Sequence, residues 1–124
     1  MARLIYADNA ATTKLDTDAF EAMTPFLLQE YGNPSQPYSF SRLPKKEIRE
    51  AREVIAQCIH AEPDEIYFTS GGTESNNWVL NGTTYLNYSH GAIVTDNIEH
   101  HAILKTCESI ERRGYPVAYM FADN

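Results

Sequence analysis

Short apolar runs alternate with helix-length amphipathic segments in this chain, and that alternation limits the folds open to it. The runs are Glu65–Thr69, Gly91–Thr95 and Val117–Phe121, with a helix expected between each pair. Strands separated by a helix cannot close as hairpins, so they pair in parallel through right-handed crossovers, and the domain is predicted to be α/β. Gly91–Thr95 lacks polar alternation and reads as a fully buried strand. The helix after Glu65–Thr69 runs to about Thr84, and the next from about His101 to Arg113, where Gly114 closes it. Upstream, Asp16 is placed to cap a helix whose stripe is Phe20, Met23, Phe26 and Leu27, up to about Glu30. Gly32-Asn33-Pro34-Ser35 breaks it. A second helix, from about Phe40 to Ile59, is expected to carry Ile48, Ala51, Val54, Ile55 and Cys58 inward. No internal repeat, low-complexity tract or linker interrupts this order.

Composition narrows the function classes. At 124 residues and 43% hydrophobic content, the chain has room for one small domain with its own core. A formal charge of -7 argues against nucleic-acid binding, because the basic residues are scattered except between Arg42 and Arg52. There they interleave with Glu47, Glu50 and Glu53, the pattern of a solvated helix face with i,i+4 ion pairs. Cys58 and Cys107 have no metal or redox spacing and fall in apolar helical stripes, so both are read as reduced core thiols of a cytoplasmic protein. No leader or membrane span is recognisable, so no membrane partner is expected, and the Asn-x-Ser/Thr matches at Asn81 and Asn87 are chance.

Two strand-to-helix passages carry the candidate chemistry, at the sheet edge where ligands collect in such folds. In the first, Thr69-Ser70-Gly71-Gly72-Thr73-Glu74-Ser75-Asn76-Asn77 follows an apolar run and opens a helix. Gly72 would let the backbone approach an anion, Thr73 offers a hydroxyl, and the helix start offers N–H groups; the same spacing also serves as an ordinary cap with Thr73 as N-cap. The turn lacks the Gly-Lys-Ser/Thr ending of a nucleotide P-loop. In the second, Asp96-Asn97-Ile98-Glu99-His100-His101 brings a carboxylate and two imidazoles to the same edge. One of these histidines could face a ligand, and His101 reads as a solvated helix-start residue. No metal site is expected, since the pair lacks the i,i+4 spacing of helix-borne ligands.

Four segments, in order, resemble the amino-terminal third of cysteine desulfurases of the class V aminotransferase family. They are Asp8-Asn9-Ala10-Ala11-Thr12-Thr13, Tyr31-Gly32-Asn33-Pro34-Ser35, Phe68 through Asn77, and Glu99-His100-His101-Ala102-Ile103-Leu104. The likeness covers essentially the whole chain and is greatest to the branch that feeds iron–sulfur cluster assembly. It implies the fold type I aminotransferase architecture: a large cofactor-binding domain with a mostly parallel sheet and flanking helices, of which residues 1–124 would be the amino-terminal segment and first part. It further implies pyridoxal 5'-phosphate as cofactor, L-cysteine as substrate, a sulfur-acceptor or scaffold protein as partner, and a homodimer. On the family pattern, Gly72 and Thr73 would bind the cofactor phosphate. His100 would stack on its ring and move protons as a catalytic residue, and Asn9 and Ala10 would lie near the substrate. Tyr38 and Ser41 depart from the family, where His and Gly are common.

The resemblance also implies residues that this stretch does not supply: a Schiff-base lysine in a Ser-x-His-Lys setting, an acid on the ring nitrogen, and a persulfide cysteine. Lys14, Lys45, Lys46 and Lys105 have no such setting, so the chain alone is expected to be inactive and to associate through an open sheet edge. Selenocysteine lyase or another class V enzyme, and a non-catalytic phosphate-binding fragment, remain alternatives at this stage.

Overall fold

A computed structural model describes residues 5–86 and 91–122. The chain divides into two compact units between Ile66 and Tyr67.

In the first unit, Asp16 caps helix α1 (Thr17–Leu28) as its sequence predicts: its Oδ1 accepts the N–H groups of Asp18 at 2.9 Å and Ala19 at 3.3 Å. Pro25 lies inside α1, and its carbonyl takes the N–H groups of both Gln29 and Glu30 at 2.8 Å as the helix ends. The Gly-Asn-Pro-Ser break is an Asx turn in which Asn33 Oδ1 accepts the Ser35 N–H at 2.9 Å. Gly32 is buried because the Phe40 carbonyl passes so close that a Cβ would collide with it. Tyr31 and Phe40 meet edge to face across the same loop, ring centroids 5.1 Å apart. A 3-10 turn over Ser39–Ser41 leads into α2 (Arg42–Cys58), and the Ser41 hydroxyl is buried there without a hydrogen bond among the described residues.

The charged face of α2 carries the expected pairs, Lys46–Glu50 at 3.1 Å and Arg49–Glu53 at 3.6 Å. Its apolar stripe behaves differently. The buried residues of α2 are Pro44 and Ala56, whereas Val54 and Ile59 are 58% and 63% exposed and Cys58 is exposed too. Helical spacing gathers these side chains on one face, but burial also needs an opposing element, and none covers that face among the described residues. The stripe of α1 is likewise open at Phe20, Met23 and Leu27. After α2 the chain reverses through His60, whose φ of 55° places a non-glycine residue in the left-handed region while the Ala61 N–H returns to the Ala56 carbonyl at 2.9 Å.

The strand expected at Glu65–Thr69 does not form. Pro63–Glu65 is a 3-10 turn, tied by the Glu62 N–H to Glu65 Oε2 at 2.8 Å, and Ile66 is extended but carries no ladder. Its carbonyl accepts instead from Arg52 Nε at 3.1 Å. A strand exists only where a neighbour takes its N–H and C=O groups, and apolar content alone does not supply one.

The second unit contains α3 (Gly72–Leu86), β1 (Ile93–Asp96), α4 (His101–Arg112) and β2 (Val117–Met120). Among the described residues the sheet has two strands, parallel as predicted, in the register Ile93↔Val117 through Asp96↔Met120. Strand β1 is not fully buried as expected: Thr95 is buried, but Val94 is 64% exposed, because this two-stranded sheet is covered on one face. Helix α4 buries Ala102, Thr106, Cys107 and Ile110, which fall on one face at helical spacing. Gly114, at φ 88°, closes α4, letting the N–H of buried Tyr115 reach the Ile110 carbonyl at 3.3 Å. Asn97 pins the strand ends together: its N–H donates to the Met120 carbonyl at 3.0 Å and its Oδ1 accepts the Ala122 N–H at 3.1 Å.

Candidate functional site

The glycine turn is folded by its own side chains. Thr69 Oγ1 lies 2.7 Å from Ser75 Oγ and 3.3 Å from the Gly71 carbonyl, drawing the incoming chain over the first turn of α3. Ser70 donates its N–H at 2.6 Å and its hydroxyl at 2.7 Å to Glu74 Oε2. These two donors, the N–H first, hold the Glu74 carboxyl below its ordinary range.

The first hydrogen bond of α3 runs from the Ser75 N–H to the Gly71 carbonyl at 3.2 Å. The N–H groups of Gly72, Thr73 and Glu74 therefore have no intrahelical acceptor and lie at the positive end of the helix. Thr73 is the second residue of α3 and not its cap, and its hydroxyl makes no hydrogen bond among the described residues. Nothing lies within 4 Å of a Cβ built on Gly72, so the space beside this backbone is open.

His100 caps α4. Its Nδ1 accepts the Ala102 N–H at 3.0 Å, so Nδ1 carries no proton and the neutral ring bears its proton on Nε2. This bond fixes the imidazole at the helix start, while Glu99 Oε2 accepts the His100 N–H at 3.3 Å. The ring of His101 is tilted 57° to that of His100, with its centroid 6.4 Å away.

Thr73 and His100 line one open groove of about 480 Å³ between α3 and α4, together with Asn77, Asn81, His101 and Lys105. The Lys105 ammonium is held by Glu108 at 2.8 Å. Gly72 precedes Thr73 as the first residue of α3. Asn9 and Ala10 belong to the first unit, in an exposed turn where the Ala11 N–H donates to the Asp8 carbonyl at 3.2 Å. No cluster of three or more His, Cys, Asp or Glu able to hold a metal occurs among the described residues, and no described helix is long and apolar enough to cross a membrane.

The sequence profile described as Aminotransferase class-V matches residues 5–124. The chain belongs to the class-V aminotransferase family. Within that family its relatives are cysteine desulfurases. It is 46% identical over 124 residues to "Cysteine desulfurase IscS" of Dictyoglomus turgidum, with 99% of this chain and 32% of the relative covered. Against the protein of the same name in Methanosarcina thermophila the figures are 43% over 122 residues, 98% and 30%. Among solved structures, "SspA in complex with cysteine" superposes with a TM-score of 0.85 at 35% identity over 93% of this chain and 33% of that one. A "NIFS-LIKE PROTEIN" gives 0.84 at 35% identity over 90% and 31%. The chain thus spans about a third of the length of these proteins.

Sequence reasoning missed the polar seam that joins α3 to α4 beneath the groove. Asn77 meets Thr106 at 2.8 Å and Asn81 Oδ1 accepts from Arg113 Nη2 at 2.6 Å. The partners lie 29 and 32 positions apart, with no spacing rule to join them, although Asn77 and Asn81 at i,i+4 already marked one face of α3.

Proposed function

We propose that this segment supplies the phosphate clamp and the ring-facing base of a pyridoxal 5'-phosphate-dependent cysteine desulfurase. The complete enzyme would convert L-cysteine to L-alanine and pass the sulfur on as a persulfide to an acceptor or scaffold protein. The observation that carries the reading is the meeting of Thr73 and His100 in one groove at the mouth of α3.

The donor set fits the cofactor's two recognisable parts. Backbone N–H groups of Gly72 and Thr73 at a positive helix end, an unengaged Thr73 hydroxyl and open space beside Gly72 suit a phosphate dianion. A flat imidazole fixed through Nδ1 suits a flat ring, with Nε2 left to hold or move a proton. When bound, pyridoxal 5'-phosphate supplies the electron sink for chemistry at the substrate carbon. The work of this chain is orientation: clamping one end and facing one side confines the reacting groups to a single pose. Asn9 and Ala10 are assigned a place near the substrate on the family pattern. We assign no Schiff-base role to Lys105, which lacks the Ser-x-His-Lys setting; that residue, the ring-nitrogen acid and the persulfide cysteine would lie outside these 124 residues. We assign the enzyme to the cytoplasm, as a homodimer.

Cofactor content and cysteine-dependent alanine formation, measured on the full-length enzyme that contains this segment, test the assignment. Thr73→Ala should lower cofactor content, while His100→Ala should slow turnover with less effect on content. Equal loss of content and turnover in His100→Ala would overturn the division of roles, and an enzyme that binds no pyridoxal 5'-phosphate would overturn the function.

A further inference from the structure

A run of short contacts joins the two residues assigned to the cofactor. Asn77 Nδ2 donates to the Thr73 carbonyl at 2.9 Å. Asn77 Oδ1 lies 2.8 Å from Thr106 Oγ1, and Thr106 Oγ1 lies 2.7 Å from the Ala102 carbonyl, one helical turn earlier. The Ala102 N–H in turn donates to His100 Nδ1 at 3.0 Å.

Proton accounting fixes the sense of this run. The Thr73 carbonyl requires a donor, so the Asn77 amide must present its NH2 group there and its oxygen to Thr106. The single Thr106 hydroxyl proton then lies between two acceptors, Asn77 Oδ1 at 2.8 Å and the Ala102 carbonyl at 2.7 Å, and is shared between them. The Ala102 carbonyl is not orphaned by the sharing, since it already stands at i-4 to the Thr106 N–H within α4. Thr106 is only 6% exposed, so the bond it gives Asn77 is shielded from competing water. A second tie, Arg113 Nη2 to Asn81 Oδ1, lies toward the far end of α3, away from both assigned residues.

We infer that Asn77 and Thr106 are positioning residues that set the separation between the phosphate clamp at Thr73 and the imidazole at His100. The inference rests on the function proposed above and adds the element that makes two contacts from different helices act as one rigid cradle. Neither residue needs to touch the cofactor. Removing the hydroxyl would let α3 and α4 shift at their mouth, so a cofactor gripped at its phosphate would present its ring to His100 at a different tilt.

The test uses the full-length holoenzyme that contains this segment, with three readouts: the dissociation constant for pyridoxal 5'-phosphate, the circular dichroism of the bound cofactor's visible band, and the 15N signals of the His100 ring. Thr106→Val, which keeps the shape and deletes the hydroxyl, should weaken cofactor binding about five- to tenfold, as expected for one shielded hydrogen bond, and reduce the visible dichroism. Thr106→Ser should restore both. Asn77→Ala breaks the same bond from a half-buried position and should reproduce the Thr106→Val result if that variant folds poorly. Arg113→Ala, which loosens the far end of the helix pair, should lower stability and leave the dichroism in place. Unchanged affinity and dichroism in folded Thr106→Val or Asn77→Ala would overturn the inference, as would equal changes in Arg113→Ala. A wild-type enzyme that fails to bind pyridoxal 5'-phosphate would overturn the proposed function instead.

Discussion

Separating the two jobs of His100 is the most informative perturbation. As N-cap it satisfies the Ala102 N–H at 3.0 Å, and through its ring it is assigned to the cofactor. Alanine removes both roles. Asparagine removes the ring but returns a side-chain oxygen of high N-cap preference to the same N–H. Loss of a cap costs about 1 kcal/mol, so His100→Ala should be destabilised by about that amount and His100→Asn by a few tenths at most. For a chain of this size, about 1 kcal/mol corresponds to a Tm lower by about 3–5 °C. Urea titrations followed by far-ultraviolet circular dichroism read the difference directly, with thermal melts as a second measure. Turnover of the full-length enzyme should fall alike in both variants, because neither has an imidazole. Equal destabilisation of the two variants would show that the cap bond is not what holds the start of α4. Retained turnover in His100→Asn would remove the ring from the chemistry.

Other perturbations test the frame around the site. Gly32→Ala should cost about 2–3 kcal/mol, because a Cβ there meets the Phe40 carbonyl and its ring, and overpacking of this kind forces backbone to move; a loss below about 0.5 kcal/mol in a urea titration would mean that the loop yields freely. The two thiols should differ in reactivity: one equivalent of iodoacetamide should label exposed Cys58, while Cys107, buried and with its thiol pushed up by burial and then by Glu111 and Glu99, should react only after unfolding. Labelling of both at one rate in the native chain would contradict the packing of α4. Glu74 should give an acid limb to stability. Because Ser70 lowers its carboxyl in the folded state, its contribution is present above the ordinary carboxylate range and lost as pH falls through the folded value. The gap between wild type and Glu74→Gln should therefore close on acidification, and a constant gap would refute the Ser70–Glu74 contact.

Local chemistry was legible wherever a residue acts on its own neighbours. Asp16 capping α1, Gly114 closing α4 and the i,i+4 pairs of α2 rest on short-range rules, and all were found; the parallel pairing of β1 with β2 followed from the helix that separates them. What failed required a partner from elsewhere. Among the described residues, the run at Glu65–Thr69 has strand composition but no ladder, and the stripe containing Val54 and Ile55 has helical spacing but nothing opposite it. Cys58 was misplaced for the same reason, while Cys107, on a helix packed against α3 and β2, was placed correctly. At the site, the motifs brought Thr73 and His100 forward, but only the fold set them in one groove and disclosed Asn77 and Thr106 between them.

Parallel pairing has a geometric consequence for chemistry at this edge. With Asp96 opposite Met120, both strands run out in the same direction, and Asn97 ties the exit of one to the exit of the other. Chain leaving β2 is therefore delivered beside the start of α4. Such an edge acts as an assembly point: every strand added in the same sense would bring its following loop to the same edge of the sheet, so groups far apart in sequence can be gathered around one ligand without any long excursion of the backbone.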